Sequence, residues 1–275
     1  MGSFFRQRIG IGLLIVSLTG VSVLGAFYLG RFYLDIMRQG TYSGSTRVML
    51  NQSKSVAAQD QGKLLTLNPV PVYFLQVGVF SDMEGAKIAA KPLNDLGYRP
   101  YITQTAPHKI WIGLYKNRED TEIIKRKLIE KGFSSFTGAV VVNGENLRYG
   151  KGSEALITEI RPLLENYTLW LKENLEIYHA GGADSLDSNL VQRQMTVVNN
   201  VYKAIETDSR FQTGSEIIDR RFGYIKDTVR GYKQELDALG DKITPDRYSM
   251  LQFQLLRFID NYLILRQEIG NLSQT

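Results

Sequence analysis

The chain has 275 residues, 43% of them apolar, enough for two compact domains and connecting segments. It has no cysteine, which excludes a disulfide framework and any thiolate metal site. The net charge of +5 gathers at the N-terminal end: residues 1–71 carry seven Lys/Arg against two Asp/Glu, residues 151–275 fifteen against eighteen. No folded region therefore has the dense basic patch of a nucleic-acid binder.

Arg6 and Arg8 precede an uncharged run from Ile9 to Gly30, and Arg31 and Arg38 follow it. As a helix these residues span about 33 Å, enough to cross a hydrocarbon core. Two arginines in the short leading tail favour its staying inside. The expectation is a cytoplasmic tail over 1–8, a transmembrane anchor over 9–30, and a single-pass protein with its bulk outside the bacterial cytoplasmic membrane. A cleaved signal peptide, with a candidate site at Val23-Leu24-Gly25, is the alternative, although the apolar run exceeds the usual core of about 7–15 residues. Residues 31–71, rich in Ser, Gln, Gly, Thr and Asn from Gln39 onward, read as a flexible linker.

Residues 72–143 alternate strand and helix signals. Val72 to Phe80 is β-branched and aromatic. Ser81-Asp82-Met83-Glu84 reads as a capping box with Ser81 at the N-cap. Ala86, Ala89, Ala90, Leu93 and Leu96 recur at helical spacing until Gly97, with Pro92 expected to loosen the second half. Tyr98–Thr103 and Lys109–Tyr115 read as strands around a turn at Ala106-Pro107. Asn117 caps a second helix with Ile123, Ile124 and Leu128 as its stripe and Gly132 at its end. Phe136–Val142 is the fourth strand. The order is βαββαβ: an antiparallel four-stranded sheet with both helices on one face.

Period 2 sorts the strands into faces. Leu75, Val77, Ile110 and Ile112 point to the helices. Phe74, Gln76, Lys109 and Trp111 point onto a face that neither helix covers. An aromatic beside an amide and a cation suits a sugar, whose apolar face packs on the ring while its hydroxyls meet the polar groups. The competing expectation is that the C-terminal region packs on this face and buries Trp111.

These residues resemble the SPOR domain, the sporulation-related repeat of bacterial cell-division and envelope proteins. The resemblance rests on Tyr73-Phe74-Leu75-Gln76-Val77-Gly78-Val79-Phe80-Ser81, Ala86, Leu96-Gly97-Tyr98, Ile110-Trp111-Ile112-Gly113 and Lys131-Gly132-Phe133. It implies binding to peptidoglycan glycan strands stripped of stem peptides, with Gln76 as a ligand contact. Lys109 stands where the family often has Arg, Pro107 where some members have an aromatic, and Leu114 where Pro commonly follows the glycine.

Beyond residue 153 four amphipathic stripes follow. They run from Leu156 to Tyr178, from Val191 to Ile205, from Ile217 to Leu239 and from Leu251 to Ile269, with Pro162 disturbing the start of the first. They predict an antiparallel four-helix bundle over 153–275, read as self-contained, or as presenting one stripe to an envelope partner or a second copy. The expected fold class is α+β: a transmembrane helix, a ferredoxin-like βαββαβ domain and an all-α bundle.

No catalytic or metal constellation is evident. His108 and His179 lack metal-ligand spacing, and Asp184 with Asp187 reads as a solvated helix start. The leading expectation is a non-catalytic, cofactor-free wall-binding protein of division or sporulation, the helical region positioning a partner. An envelope scaffold that has lost sugar affinity is the second reading. RNA binding, which an aromatic on a βαββαβ sheet also allows, lacks the aromatic RNP patterns.

Overall fold

The computed structural model describes residues 63–149, 153–179, 181–183, 188–207, 213–238 and 244–272. The anchor over 9–30, its signal-peptide alternative, the linker up to residue 62 and the Asp184/Asp187 pair lie outside these residues. Among the described residues no helix is long and apolar enough to cross a membrane.

Strand β1 (Lys63–Leu65) comes first, inside the segment expected to be linker. It pairs antiparallel with β6 (Leu147–Tyr149), Leu64 opposite Arg148. Leu65, Leu67 and Leu147 are buried, so the last part of the expected linker is folded chain. Its apolar residues find a core that a local reading of the sequence does not supply.

Between these strands lies the expected βαββαβ unit. It comprises β2 (Val70–Phe80), α1 (Met83–Asp95), β3 (Tyr101–Ile102), β4 (His108–Tyr115), α2 (Arg118–Glu130) and β5 (Phe136–Val142). The sheet order is β3-β4-β2-β5, every pair antiparallel. The N-cap of α1 is Asp82 rather than Ser81: its Oδ1 accepts from the Gly85 amide at 2.7 Å. Glu84 then falls one position short of reaching back and pairs with Lys87 instead. Asn117 is the N-cap of α2, without a side-chain cap bond. Gly97 and Gly132 stop the helices at φ +82° and +83°, where the following amides bond back to Leu93 and Leu128. Helix α1 continues past Pro92.

The helical region comprises α3 (Glu154–Leu175), α4 (Ser188–Thr207), α5 (Glu216–Asp237) and α6 (Pro245–Leu272). Contacts fix their directions. Tyr167 stacks on Phe222 and meets Phe258, whereas Tyr178, just past α3, meets Tyr232 and Tyr248. Helix α3 therefore runs with α5 and against α6. Glu206 with Arg230 and Tyr202 with Lys233 set α4 against α5, giving the expected up-and-down bundle.

The expectation of a self-contained bundle gives way to a shared core. The described residues belong to one compact unit, Asp60–Thr275. One apolar cluster lies between the sheet and α1 and α2, with Leu75, Ile110, Ile112 and Leu128 at its centre. The other joins Val70, Val72, Phe74, Trp111, Leu114 and Val142 to the interior of the helical region. Helix α6 can serve both sides because Leu255-Leu256 and Phe258-Ile259 are apolar doublets, all four buried, that widen its stripe beyond one face.

Candidate functional site

The register brings the four sequence-nominated residues to one face. Gln76 lies opposite Trp111 on β4 and opposite Phe136 on β5, and Val79 lies opposite Lys109. Gly113 is an extra residue between Ile112, opposite Leu75, and Leu114, opposite Phe74; its φ of +61° makes it a bulge. The bulge shifts strand parity, so Leu114 joins Trp111 while Tyr115 turns to the α1/α2 side.

That face is not open, which corrects the expected exposure of Phe74 and Trp111. Both belong to the core shared with the helical region, with α6 packed over β4, and each is only 5% exposed. Their rings meet at a centroid distance of 4.5 Å; Tyr101 adds a third ring at 6.3 Å from Trp111 and meets Phe253 of α6 edge-on at 5.7 Å. The cause is the hydrophobic effect: Val72, Phe74, Trp111, Leu114 and Val142 make an apolar surface that favours being covered, at about 25 cal/mol per Å². The Phe74 ring sits over Gly138, where a Cβ would lie 2.3 Å from it.

Polar contacts fasten the cover. Asp260, buried on α6, accepts from the Tyr101 hydroxyl at 2.8 Å and the Gln104 amide at 2.9 Å. Burial, and next the Asp260 charge, hold the Tyr101 phenol well above its ordinary range. Asn261 accepts from Gln104 Nε2, and Gln252 donates to the Leu114 carbonyl at 3.1 Å. At the rim Arg99 pairs with Asp246 of α6, while Lys116 pairs with Glu176 at the end of α3. Asn143, left-handed at φ 59° and buried, donates to Thr168 and accepts from Tyr262, tying the end of β5 to α3 and α6. The fit is incomplete. The Trp111 indole N–H and the Nε groups of Arg99 and Arg266 are buried without a hydrogen-bond partner among the described residues.

Gln76 and Lys109 remain half-buried beside this cover. The Gln76 amide has no hydrogen-bond partner, and the Lys109 ammonium no carboxylate, among the described residues. Phe136 is 63% exposed on the same face. Local reading placed Phe136 at the start of a strand but could not find its neighbours, because the pairing of β2 with β5 is a long-range property. His108 lies in β4, its Nδ1 at 2.8 Å from the Thr103 carbonyl, and the main-chain N–H of His179 donates to the Tyr248 hydroxyl. Among the described residues no three His, Asp or Glu side chains gather as a metal site.

Residues 69–136 match the family model of the SPOR domain, so the chain carries a SPOR domain over these residues. The SPOR domain suggests peptidoglycan binding in cell division, and it is a binding domain rather than a catalytic one. No curated protein and no solved structure matches the chain.

Proposed function

We propose that the chain is a non-catalytic protein of the bacterial envelope, anchored by residues 9–30, which holds glycan strands stripped of stem peptides during division or sporulation. The observation that carries this reading is the cross-strand pair of Phe136 and Gln76 on the SPOR sheet, with Lys109 on the same face two residues along β4 from Trp111, the other partner of Gln76. An exposed ring beside an unpaired amide and an unpaired ammonium can pack on a sugar and bond its hydroxyls. Phe136 takes here the part that the sequence suggests for Trp111. The helical region then positions these residues, and a partner, relative to the wall.

The test is retention of the full chain, in detergent, on amidase-stripped against intact peptidoglycan. Preference for stripped glycan, weakened by Gln76→Ala and by Phe136→Ala, supports the reading. Equal, weak retention by all forms opposes it.

The burial of Phe74 and Trp111 favours a second reading, an envelope scaffold whose sheet makes protein contacts without sugar. Envelope proteins that co-purify with the chain irrespective of Gln76→Ala, without glycan retention, would select it.

A further inference from the structure

We propose that α6 is an autoinhibitory cap: it occupies half of the glycan face, and wall sugar reaches Phe74 and Trp111 only by displacing it. This inference rests on the wall-binding reading and adds the regulation of that site.

Three observations carry it. First, the boundary of α6 divides one row of side chains. Gln76 and Trp111 are direct cross-strand partners, yet Gln76 is only half-buried, its amide without a partner among the described residues, while Trp111 is covered. A ligand lying on Phe136 and Gln76 meets the cap at the next strand.

Second, the covered half holds what a sugar needs and the cap does not satisfy. The Trp111 indole N–H is buried with no acceptor, and Phe74 and Trp111 lie close enough to present one continuous aromatic surface. Sugar hydroxyls supply acceptors that α6 lacks there, and sugar C–H faces suit the rings.

Third, the fastening is discrete. It includes Asp260 on Tyr101 and Gln104, Gln252 on the Leu114 carbonyl, and the rim ion pair of Arg99 with Asp246, both members of which are more than a third exposed. Opening therefore means breaking these few polar contacts and separating the part of the shared apolar core that Trp111 contributes, and a sugar on the ring replaces that apolar cover. The apparent affinity for glycan is then the intrinsic affinity multiplied by the fraction of molecules in which the cap is open.

The experiment compares the full chain with Asp260→Ala, which strands two donors under the cap, and with Arg99→Glu, which repels Asp246 at the solvent-exposed rim. The probe is purified glycan strands released by amidase, and circular dichroism checks that each variant is folded. Expected are retention raised roughly tenfold by Asp260→Ala and by a smaller factor by Arg99→Glu, and faster amide exchange over Phe253–Asp260 when glycan is added to the wild type. Equal binding by all three, lost on Gln76→Ala, with α6 exchange unchanged by glycan, overturns the cap and leaves the wall-binding reading standing. No binding by any folded form removes both. If Asp260→Ala unfolds, Arg99→Glu and the exchange measurement decide alone.

Discussion

Tyr101 donates its hydroxyl to Asp260 across 2.8 Å, and this bond joins a two-residue edge strand to the longest helix among the described residues. The same carboxylate oxygen accepts from the Gln104 amide, so one buried side chain holds both the strand and the turn after it. Tyr101→Phe removes one of two donors to a buried carboxylate and should cost about 1–3 kcal/mol. Asp260→Ala should cost more, because it leaves two donors unmatched. Urea unfolding followed by circular dichroism measures both; an unchanged midpoint for Tyr101→Phe would mean that the bond does not hold the helix in place.

A second consequence concerns alkaline pH. Burial raises the phenols of Tyr101, Tyr115, Tyr178, Tyr232 and Tyr248 above the ordinary value. A group whose folded pKa is raised contributes stability that is complete below its unfolded pKa and is lost as pH rises beyond it. Stability should therefore be flat up to about pH 10, the unperturbed tyrosine value, and fall above it. Ultraviolet absorbance should show these phenols ionising together with the loss of near-ultraviolet dichroism. Their ionisation in a chain that keeps its dichroism would contradict their burial.

The βαββαβ unit was legible in the sequence because its signals are local: β-branched strands, helical alanine spacing, and Gly97 and Gly132 at positive φ. The division of Leu75, Ile110 and Ile112 from Phe74 and Trp111 followed from period 2 alone, and the structure keeps it. What covers Trp111 was not legible, because it depends on a helix about 140 residues away along the chain. The doublets at 255–256 and 258–259 were the available sign that α6 buries more than one face. The parity shift at Gly113 and the pairing of Gln76 with Phe136 needed the register. So did the ribbon of β1 and β6, whose three-residue strands carry too little pattern to stand out from a polar spacer.

Gly138 shows the cost of close approach. A methyl group there would lie 2.3 Å from the Phe74 ring, which is buried in the shared core against Trp111. Gly138→Ala should destabilise by about 1–3 kcal/mol through overpacking. Combining it with Phe74→Leu should cost less than the sum of the two single changes, since the smaller side chain frees the space. Additive losses in thermal unfolding would show that the two sites do not share a contact.

On the acid side Glu122 reports the seam between α2 and β5. A hydrogen bond from Thr137 Oγ1 at 2.7 Å, and then the nearby Lys125, hold its carboxyl below the ordinary value. A depressed folded pKa contributes stability above the unfolded value, near pH 4.3, and loses it as pH falls through the folded value. Carbon-detected titration should place Glu122 below the usual glutamate range, and Thr137→Val should return it towards that range. A Glu122 titration unaffected by Thr137→Val would rule the hydrogen bond out as the cause.

Trp111 offers the most direct choice between a covered and an open face. On an open sheet its replacement would weaken ligand binding and hardly alter stability. Here it is buried between Phe74, Tyr101 and α6, so Trp111→Ala should cost about 3–5 kcal/mol, the range for emptying a large aromatic site. Trp111→Phe should cost much less than that. It keeps a ring against Phe74, and it removes an indole N–H that has no acceptor, so part of the lost packing is offset by the end of an unmet polar burial. Guanidinium unfolding of the three forms orders them directly. A near-wild-type midpoint for Trp111→Ala would place the indole in solvent and leave α6 elsewhere.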